Sequence, residues 1–323
     1  MLNIDAKINI CASIFRPVQN HRYRIYYNNM ENYEIKNIDI RDKDSRIAIT
    51  SLINEVFNAN IGIDKIFLNT NTRNQKTVYL GAYLNNELAA VIFFIAHELM
   101  YNNKLVIAYQ NCWGATGKNH RKKGLFSMLT NHAKQHLDGA FIFGFPNNTS
   151  GPILNKLGFR TIELCKLNIP VKFFPRLFLN YYFKQVKPTY QLPLKDSFIP
   201  IEPELIELKT NEYGDEIKVY ANYNNIIWGR VVKRKSILGK LTFFRIGGIQ
   251  VNKPHLLYLL FNEIIKKEKP HFIQLISSKN NSILNLFRGV KEAPQTEPLI
   301  ICDLNTNTMQ SHFNFIAGIK DVF

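Results

Sequence analysis

A basic turn broken by glycine, between an apolar strand and an amphipathic helix, is the feature that most restricts how this chain can fold. Residues 105–112 (LVIAYQNC) predict the strand, and residues 121–126 (RKKGLF) form the turn. Apolar residues then recur at the spacing of one helix face, at Leu125, Leu129, Ala133 and Leu137. The first N–H groups of such a helix lack intrahelical partners, and the helix dipole attracts anions to them. The sequence therefore predicts a phosphate site at this turn.

The turn is not a P-loop. A GxxxxGK[ST] motif ending at Gly117-Lys118 would require glycine in place of Cys112 and serine or threonine in place of Asn119. A second interpretation of residues 121–123 is an ordinary solvated basic face, because lysine and arginine are mostly exposed in proteins. The turn alone leaves these two interpretations open.

The turn resembles motif A of the GNAT acyl-CoA N-acyltransferases, R/Q-x-x-G-x-G/A, in which main-chain amides hold the pyrophosphate of coenzyme A. Arg121 and Gly124 match the motif, and Phe126 departs from it at the third position. That departure keeps the amide but requires the bulky side chain to point away from the cofactor. The resemblance implies acyl-CoA as co-substrate, held by Trp113, Ala115, Thr116, Arg121, Lys122, Lys123, Gly124, Leu125, Phe126 and Asn147.

The following residues extend the resemblance. Residues 139–147 (GAFIFGFPN) predict a buried strand, residues 150–157 a short helix, and Gly158-Phe159 the start of another strand. This order of elements is that of the GNAT core, and it covers residues 78–169. The GFPN form resembles GNAT members that act on nucleotide-linked amino sugars in surface-polysaccharide pathways.

The length of 323 residues favours two domains. We expect a mixed α/β fold with a largely antiparallel central sheet, flanking helices and two GNAT-like domains. Residues 1–170 would bind acyl-CoA, residues 171–198 would form an aromatic and basic connector, and residues 199–323 would recognise the acceptor. The second part repeats the hairpin, strand and helix pattern without R-x-x-G, so a second coenzyme site is not expected.

The chain carries a large positive charge. It has 41 Lys+Arg against 25 Asp+Glu, a net charge of +16, which suits nucleic acid, an anionic membrane surface or polyanionic small substrates. The last is favoured, because coenzyme A and a sugar nucleotide both carry several phosphates. The longest apolar run, residues 88–96, is shorter than the roughly 20 residues of a membrane helix, so membrane insertion is not expected.

The four cysteines are far apart and lack CxxC or Cys/His spacing. This pattern predicts neither a zinc site nor a disulfide framework, and it is typical of a reducing cytosol. The first ten residues show no basic-then-apolar signal pattern. We therefore expect a soluble cytoplasmic protein without a metal ion.

Acyl transfer to an amine requires an unprotonated nucleophile, a polarised thioester carbonyl and a proton for the leaving thiolate. In GNAT enzymes the acyl group usually passes directly to the amine, so Cys112 is not required as a nucleophile, although it lies near the relevant strand end. Candidates for the base are His97 and Glu98, at the end of one strand. The tyrosine acid of many GNAT enzymes is replaced by Leu154. Two alternatives follow: Asn147, Asn148 or Ser150, with water, donates the proton, or the reaction uses no dedicated acid.

The acceptor site has aromatic and basic candidates. In the connector, Tyr181 and Tyr182 offer rings that can stack on a base or sugar, while in the second part Trp228 and Arg230 combine an aromatic plane with a guanidinium group suited to diphosphate. A packed connector and a core tryptophan are the alternative interpretations.

The leading hypothesis is transfer of an acetyl or 3-hydroxyacyl group, such as 3-hydroxybutanoyl, from coenzyme A to a nucleotide-linked amino sugar. A dTDP-3-amino-3,6-dideoxyhexose for O-antigen (lipopolysaccharide) synthesis fits the resemblance best. One alternative is a GNAT enzyme acting on an aminoglycoside, a polyamine or a protein amine. Another is a tandem GNAT-like protein that uses aminoacyl-tRNA or binds RNA. No nucleic acid partner is expected, because R-x-x-G serves coenzyme A rather than tRNA.

Overall fold

The computed structural model describes most of the chain between residues 33 and 313. The described residues are 33–67, 77–102, 104–171, 183–184, 186–189, 197–200, 202–237, 239–279, 281–288, 292–293, 298–304 and 312–313. Residues 1–32 and the predicted stacking candidates Tyr181 and Tyr182 lie outside these ranges.

Two mixed sheets with flanking helices form the fold, which confirms the predicted α/β class. The strands are β1 (Glu34–Asn37), β2 (Val78–Leu84), β3 (Glu87–Tyr101), β4 (Lys104–Thr116), β5 (Phe141–Gly144), β6 (Arg160–Ile162), β7 (Leu164–Pro170), β8 (Ser197–Pro200), β9 (Ile217–Asn222), β10 (Asn225–Ser236), β11 (Gly239–Gln250), β12 (Phe272–Ser278), β13 (Glu292–Ala293), β14 (Leu299–Asp303) and β15 (His312–Phe313). The α-helices are α1 (Lys43–Phe57), α2 (Ile63–Phe67), α3 (Leu125–His136), α4 (Ser150–Lys156), α5 (Glu202–Tyr213) and α6 (Leu257–Glu268).

Local sequence explains the boundaries of several elements. The β2–β3 turn places Asn85 and Asn86 at φ 51° and 65°, as the Asn-Asn pair predicts, because asparagine tolerates positive φ. Helix α1 begins at a cap in which the Asp42 carboxylate accepts hydrogen bonds from the amides of Asp44 and Ser45. It ends at Asn58, which is left-handed with φ 49°. These signals act within a few residues, so they are readable from sequence.

The second sheet repeats much of the order of the first. Antiparallel strands β2, β3 and β4 precede α3 and the parallel pair β4–β5, and antiparallel strands β9, β10 and β11 precede α6 and the parallel pair β11–β12. Helix α5 has no counterpart among the predicted elements. Its apolar residues cluster at positions 205–208 instead of recurring every three or four residues, so helical periodicity does not reveal it.

Each sheet contains one strand that is distant in sequence from most of its other strands. The first sheet has the order β1-β2-β3-β4-β5-β14-β6, so the late strand β14 lies between β5 and β6. The second has the order β13-β7-β12-β11-β10-β9, so the early strand β7 lies between β13 and β12. The division at residues 170 and 199 stays a prediction, and it does not anticipate this exchange.

One apolar cluster joins the two sheets. It contains Leu99, Ala108, Phe141 and Phe143 from β3, β4 and β5, together with Leu205 of α5, Ile217 of β9, Trp228 of β10, and Leu299 and Ile301 of β14. The other face of the first sheet packs on α3, and the other face of the second packs on α6. Among the helices that the structure describes, none is long and apolar enough to cross a membrane.

The strand exchange predicts that a change in β14 destabilises the whole molecule. Ile301 is 1% exposed and lies opposite Phe143 of β5 and Arg160 of β6. Ile301→Asp should lower the free energy of unfolding by about 3 kcal/mol or more, because it buries an unpaired carboxylate. Urea unfolding followed by the fluorescence of Trp113 and Trp228, one in each sheet, measures the effect.

The matched control is Val219→Asp, at a strand position that is 48% exposed, for which a loss under about 1 kcal/mol is expected. The strand exchange would be contradicted if the two variants lost equal free energy of unfolding. It would also be contradicted if Ile301→Asp changed only the unfolding reported by Trp113.

Candidate functional site

Strands β4 and β5 separate part-way along the first sheet. Their parallel pairing runs from Ala108–Phe141 to Asn111–Gly144, where β5 ends. Strand β4 continues to Thr116 against β3 alone. The edge of β4 from Trp113 to Thr116 therefore lacks a β5 partner and can offer main-chain groups to a ligand.

A β-bulge lies on β4 where this edge begins. The β3–β4 register shifts between Phe93–Cys112 and Val91–Ala115, and Trp113 takes a left-handed conformation with φ 50°. Positive φ is uncommon for a bulky residue, and bulges re-aim side chains and interrupt strand pairing. The adjacent Gly114 has no space for a side chain, since a Cβ there would lie 2.9 Å from the ring of Phe126. The Phe126 ring thus packs on β4.

Helix α3 begins beside this edge without a side-chain cap. Its N-cap, Gly124, is left-handed with φ 78°, and Lys122 is also left-handed with φ 62°. The bond from the Met128 amide to the Gly124 carbonyl, 3.0 Å long, is the first of the helix, so the amides of residues 125–127 precede the helical bonding pattern. Uncapped amides at a positive dipole end attract anions, as do nests of amides in such turns.

A hydrogen-bond network holds one basic side chain of the turn. The Lys123 ammonium donates to the hydroxyl oxygen of Tyr33 at 3.1 Å, and that hydroxyl lies 2.9 Å from Nδ1 of His120. The Lys123 ammonium also lies 5.7 Å from the centre of the Tyr33 ring. Tyr33 precedes β1, far from the turn in sequence, so no local pattern reveals its contact. Arg121 and Lys122 are exposed at the mouth of the turn.

Asn147 follows β5 and uses its side-chain oxygen to organise α4. That oxygen accepts hydrogen bonds from the amides of Thr149 and Ser150, each at 2.9 Å, and from the Ser150 hydroxyl at 3.1 Å. The N-cap residue, Thr149, makes no side-chain cap hydrogen bond, so Asn147 is the side chain that satisfies these amides. Its side-chain NH2 group is what Asn147 can offer a ligand. Asn148, the next residue, is exposed.

His97 lies on β3 opposite Ala108, where β4 still pairs with β5. Its Nε2 is 2.9 Å from the side-chain oxygen of Gln110, and its ring packs near Phe143. Its pKa is lowered to about 4, mainly by burial and also by the charge of Lys209, against a smaller raising effect of the Gln110 hydrogen bond. His97 is therefore neutral and weakly basic at neutral pH. Glu98, the next residue, is partly exposed.

Two buried amides mark the end of the β4–β5 pairing. Gln110 is 1% exposed, and its side-chain nitrogen has no hydrogen-bond partner among the described residues. The side-chain nitrogen of Asn111 is also buried and unpartnered within the described part of the chain. Buried donors normally have partners, so these two point to a ligand or ordered water. The sequence places Gln110 and Asn111 on the strand next to His97, but it does not show that their side-chain nitrogens are buried.

Three other sequence candidates have definite positions. Cys112 is 8% exposed within an apolar cluster and packs as a small core residue. Trp228 is 0% exposed, and a Cβ at Gly247 would lie 2.3 Å from its ring. A buried ring cannot stack on a nucleotide base, so that interpretation of Trp228 is wrong and the core alternative holds. Arg230 is half-buried, with its guanidinium 4.3 Å from the centre of the Tyr213 ring.

No group of three or more His, Cys, Asp or Glu side chains suited to a metal ion occurs among the described residues.

The chain has the fold of the GCN5-related N-acetyltransferases. A GCN5-related N-acetyltransferase from Anabaena variabilis is similar with a TM-score of 0.61 and 12% identity, over 87% of this chain and 75% of that one. One from Kribbella flavida has a TM-score of 0.57 and 10% identity, over 84% and 71%. Eis1 from Mycobacterium abscessus has a TM-score of 0.55 and 10% identity, over 84% and 73%. No protein-family model matches the sequence, and no curated protein matches it.

The buried, neutral side chain of His97 should make the stability of the protein depend on pH. Its pKa falls from 6.5 to about 4 on folding, so the unfolded chain binds more protons between these values and the free energy of unfolding falls as pH drops from about 6.5 to 4. At low pH the free energy of unfolding is lowered by at most about 3 kcal/mol through His97, and above about pH 6.5 this loss is absent. His97→Gln should flatten the pH dependence in this window, measured by urea unfolding from pH 4.5 to 8.

His136→Gln, at the exposed end of α3, is the control for the loss of one imidazole. An unchanged pH profile in His97→Gln would show that His97 titrates normally.

Proposed function

We propose that this protein is an acyl-CoA-dependent N-acyltransferase. One observation carries the proposal: the uncapped start of α3, with Arg121 and Gly124 of the R-x-x-G turn, lies beside the unpaired edge of β4. A diphosphate on the α3 amides and an extended chain along β4 together fit an acyl-CoA. The fold shared with GCN5-related N-acetyltransferases supports the same activity.

The chain's own groups would each have a task. The amides of residues 122–126 would hold the pyrophosphate, with Lys123 kept in place by Tyr33. The β4 edge at Trp113, Ala115 and Thr116 would bind pantetheine and polarise the thioester carbonyl. Asn147 would contact the pantetheine arm. Holding both substrates together supplies much of the rate, so the acyl group passes directly to the amine.

Proton transfer would use groups near the separated strands. The acceptor amine must lose a proton, and His97 or Glu98 would accept it through water. Because its pKa is about 4, His97 is a weak base. It is better suited to relaying a proton while remaining neutral than to keeping the proton. Asn148, exposed after β5, would order water that protonates the thiolate. Cys112, packed in the apolar core near the end of the β4–β5 pairing, has no covalent role in this transfer.

We infer that the acceptor is a nucleotide-linked amino sugar. The net charge of +16 and the half-buried Arg230 favour an anionic acceptor over a cationic aminoglycoside or polyamine. The second sheet would act as a degenerate GNAT-like half that recognises the acceptor. Tyr181 and Tyr182, which lie outside the described residues, would stack on its base or sugar. The proposed product is an acetylated or 3-hydroxyacylated dTDP-amino sugar for surface polysaccharide, made in the cytoplasm.

Thiol release from acetyl-CoA and 3-hydroxybutanoyl-CoA tests this function, against a panel of dTDP- and UDP-amino sugars, aminoglycosides and polyamines. We expect release with at least one pair. No release above background from folded protein with any acceptor class would refute the acyltransferase. Activity confined to cationic amines would refute only the acceptor.

The glycine at the start of α3 should be specifically required. Gly124→Ala places a side chain at φ 78°, next to the uncapped amides, so we expect coenzyme A binding to weaken about tenfold or more, corresponding to 1.4 kcal/mol. Calorimetric titration with coenzyme A measures the change.

Gly239→Ala is the matched control, since Gly239 has φ 101° and open space around it in the β10–β11 turn. It carries similar backbone strain and should bind coenzyme A like the wild type. Equal losses in both variants would show a general folding defect.

A further inference from the structure

A row of basic and amide side chains crosses four neighbouring strands of the second sheet. Arg230 of β10 lies directly opposite Arg245 of β11, Arg245 lies beside Gln274 of β12, and Gln274 pairs with Asn168 of β7. The row spans about 14 Å, because neighbouring strands lie about 4.8 Å apart. Side chains alternate between the two faces along a strand. Arg234, four residues after Arg230 on β10, and Lys166, two residues before Asn168 on β7, therefore lie on the same face as the row.

The row is built into the sheet rather than scattered on its surface. Gln274 is 1% exposed, accepts a 2.9 Å hydrogen bond from Nε of Arg245 and donates one of 2.8 Å to the side-chain oxygen of Asn168. The Arg230 side chain is 17% exposed and packs on Tyr213 of α5. An ordinary solvated basic face does not fix its guanidinium groups through a buried amide.

Only one of the four positive charges, that of Arg230, has an ion-pair partner shown among the described residues. Arg230 pairs with Glu216 at 3.4 Å, whereas no described carboxylate forms an ion pair with Lys166, Arg234 or Arg245. Burial, followed by the charges of Arg234 and Arg230, lowers the pKa of Arg245 to about 10. The pKa of Lys166 is also lowered, by burial and by Arg234 and Arg245. Like charges directly opposite in a sheet destabilise it, and a bound anion removes that repulsion.

Apolar side chains border the row on both sides. Trp228 and Ile276, on the same face, belong to the cluster that joins the two sheets. Beyond the row, Phe243 and Phe272 stack with ring centres 5.2 Å apart, and the Arg234 guanidinium lies 5.6 Å from the centre of the Phe243 ring. Cations held between apolar layers bind phosphate more strongly than cations in open water.

We propose that Arg230, Arg245, Arg234 and Lys166 form a binding site for a phosphate or diphosphate group. Arg245, held by Gln274 and Asn168, is its centre. This inference rests on the proposed function for its role, which is to hold the diphosphate of the acceptor on the second sheet while its amine reacts at the first. The site is separate from the coenzyme A site at α3 and needs no acyl donor in order to bind.

Calorimetric titration with inorganic pyrophosphate tests the site, in protein alone and in protein saturated with coenzyme A. We expect the coenzyme A-saturated wild type to bind pyrophosphate, and Arg245→Gln and Arg234→Gln each to bind it at least about tenfold more weakly. Arg234 is exposed, so its variant should fold even if Arg245→Gln is destabilised. Affinity for coenzyme A should not change in either variant.

Lys240→Gln is the matched control, because it removes the same charge from an exposed position of β11 on the opposite face. Failure of the coenzyme A-saturated wild type to bind pyrophosphate, or an equal loss in Lys240→Gln, would overturn the proposal. The proposal would also fail if the wild type retained tRNA, Arg245→Gln abolished that retention, and the Arg245→Gln variant still bound pyrophosphate.

Parallel titrations with inorganic phosphate and thymidine diphosphate distinguish the source of the anion. Tighter binding of thymidine diphosphate than of pyrophosphate supports a nucleotide-linked acceptor, and equal binding supports a diphosphate site alone. If pyrophosphate binds as expected but coenzyme A does not bind, the acyltransferase function fails and the anion site stands.

Discussion

The separation of β4 from β5 is the constraint on which the rest of the site depends. Parallel pairing stops at Asn111–Gly144, and the bulge at Trp113 prevents β4 from continuing as a regular strand. A strand edge without a neighbouring strand is unfavourable inside a sheet unless its main-chain groups find other partners. Nε of Arg121 donates to the Thr116 carbonyl at 3.4 Å, and a ligand or water can serve the rest. The uncapped start of α3 creates the same need beside it. Both are accounted for by one elongated ligand with a diphosphate at one end.

The strand exchange gives the second sheet a direct influence on the first. Because β14 completes the first sheet and β7 completes the second, neither sheet keeps its strand pairing without the other end of the chain. Their common cluster, which includes Ala108 and Trp228, fixes the distance between the separated strands and the basic row. An enzyme that must hold an amine against a thioester benefits from such rigidity, since small displacements reduce proximity catalysis.

Much of the fold could be predicted from sequence because its signals are local. Helix α3 follows from apolar spacing, and the Asn85-Asn86 turn follows from the tolerance of asparagine for positive φ. The positions of β7 and β14 could not be predicted, since any buried apolar strand can pair with several partners. The interpretation of Trp228 as a stacking ring failed because burial is set by packing against Gly247 and the first sheet. The Arg230–Arg245 pairing likewise depends on register, which a bulge at Gly229 shifts.

A crystal structure of the protein with coenzyme A tests the central claim most directly. The account predicts diphosphate oxygens within about 3 Å of the main-chain amides of residues 122–126, with the pantetheine arm beside β4 from Trp113 to Thr116. A diphosphate bound elsewhere, or a turn left empty at saturating coenzyme A, would contradict it.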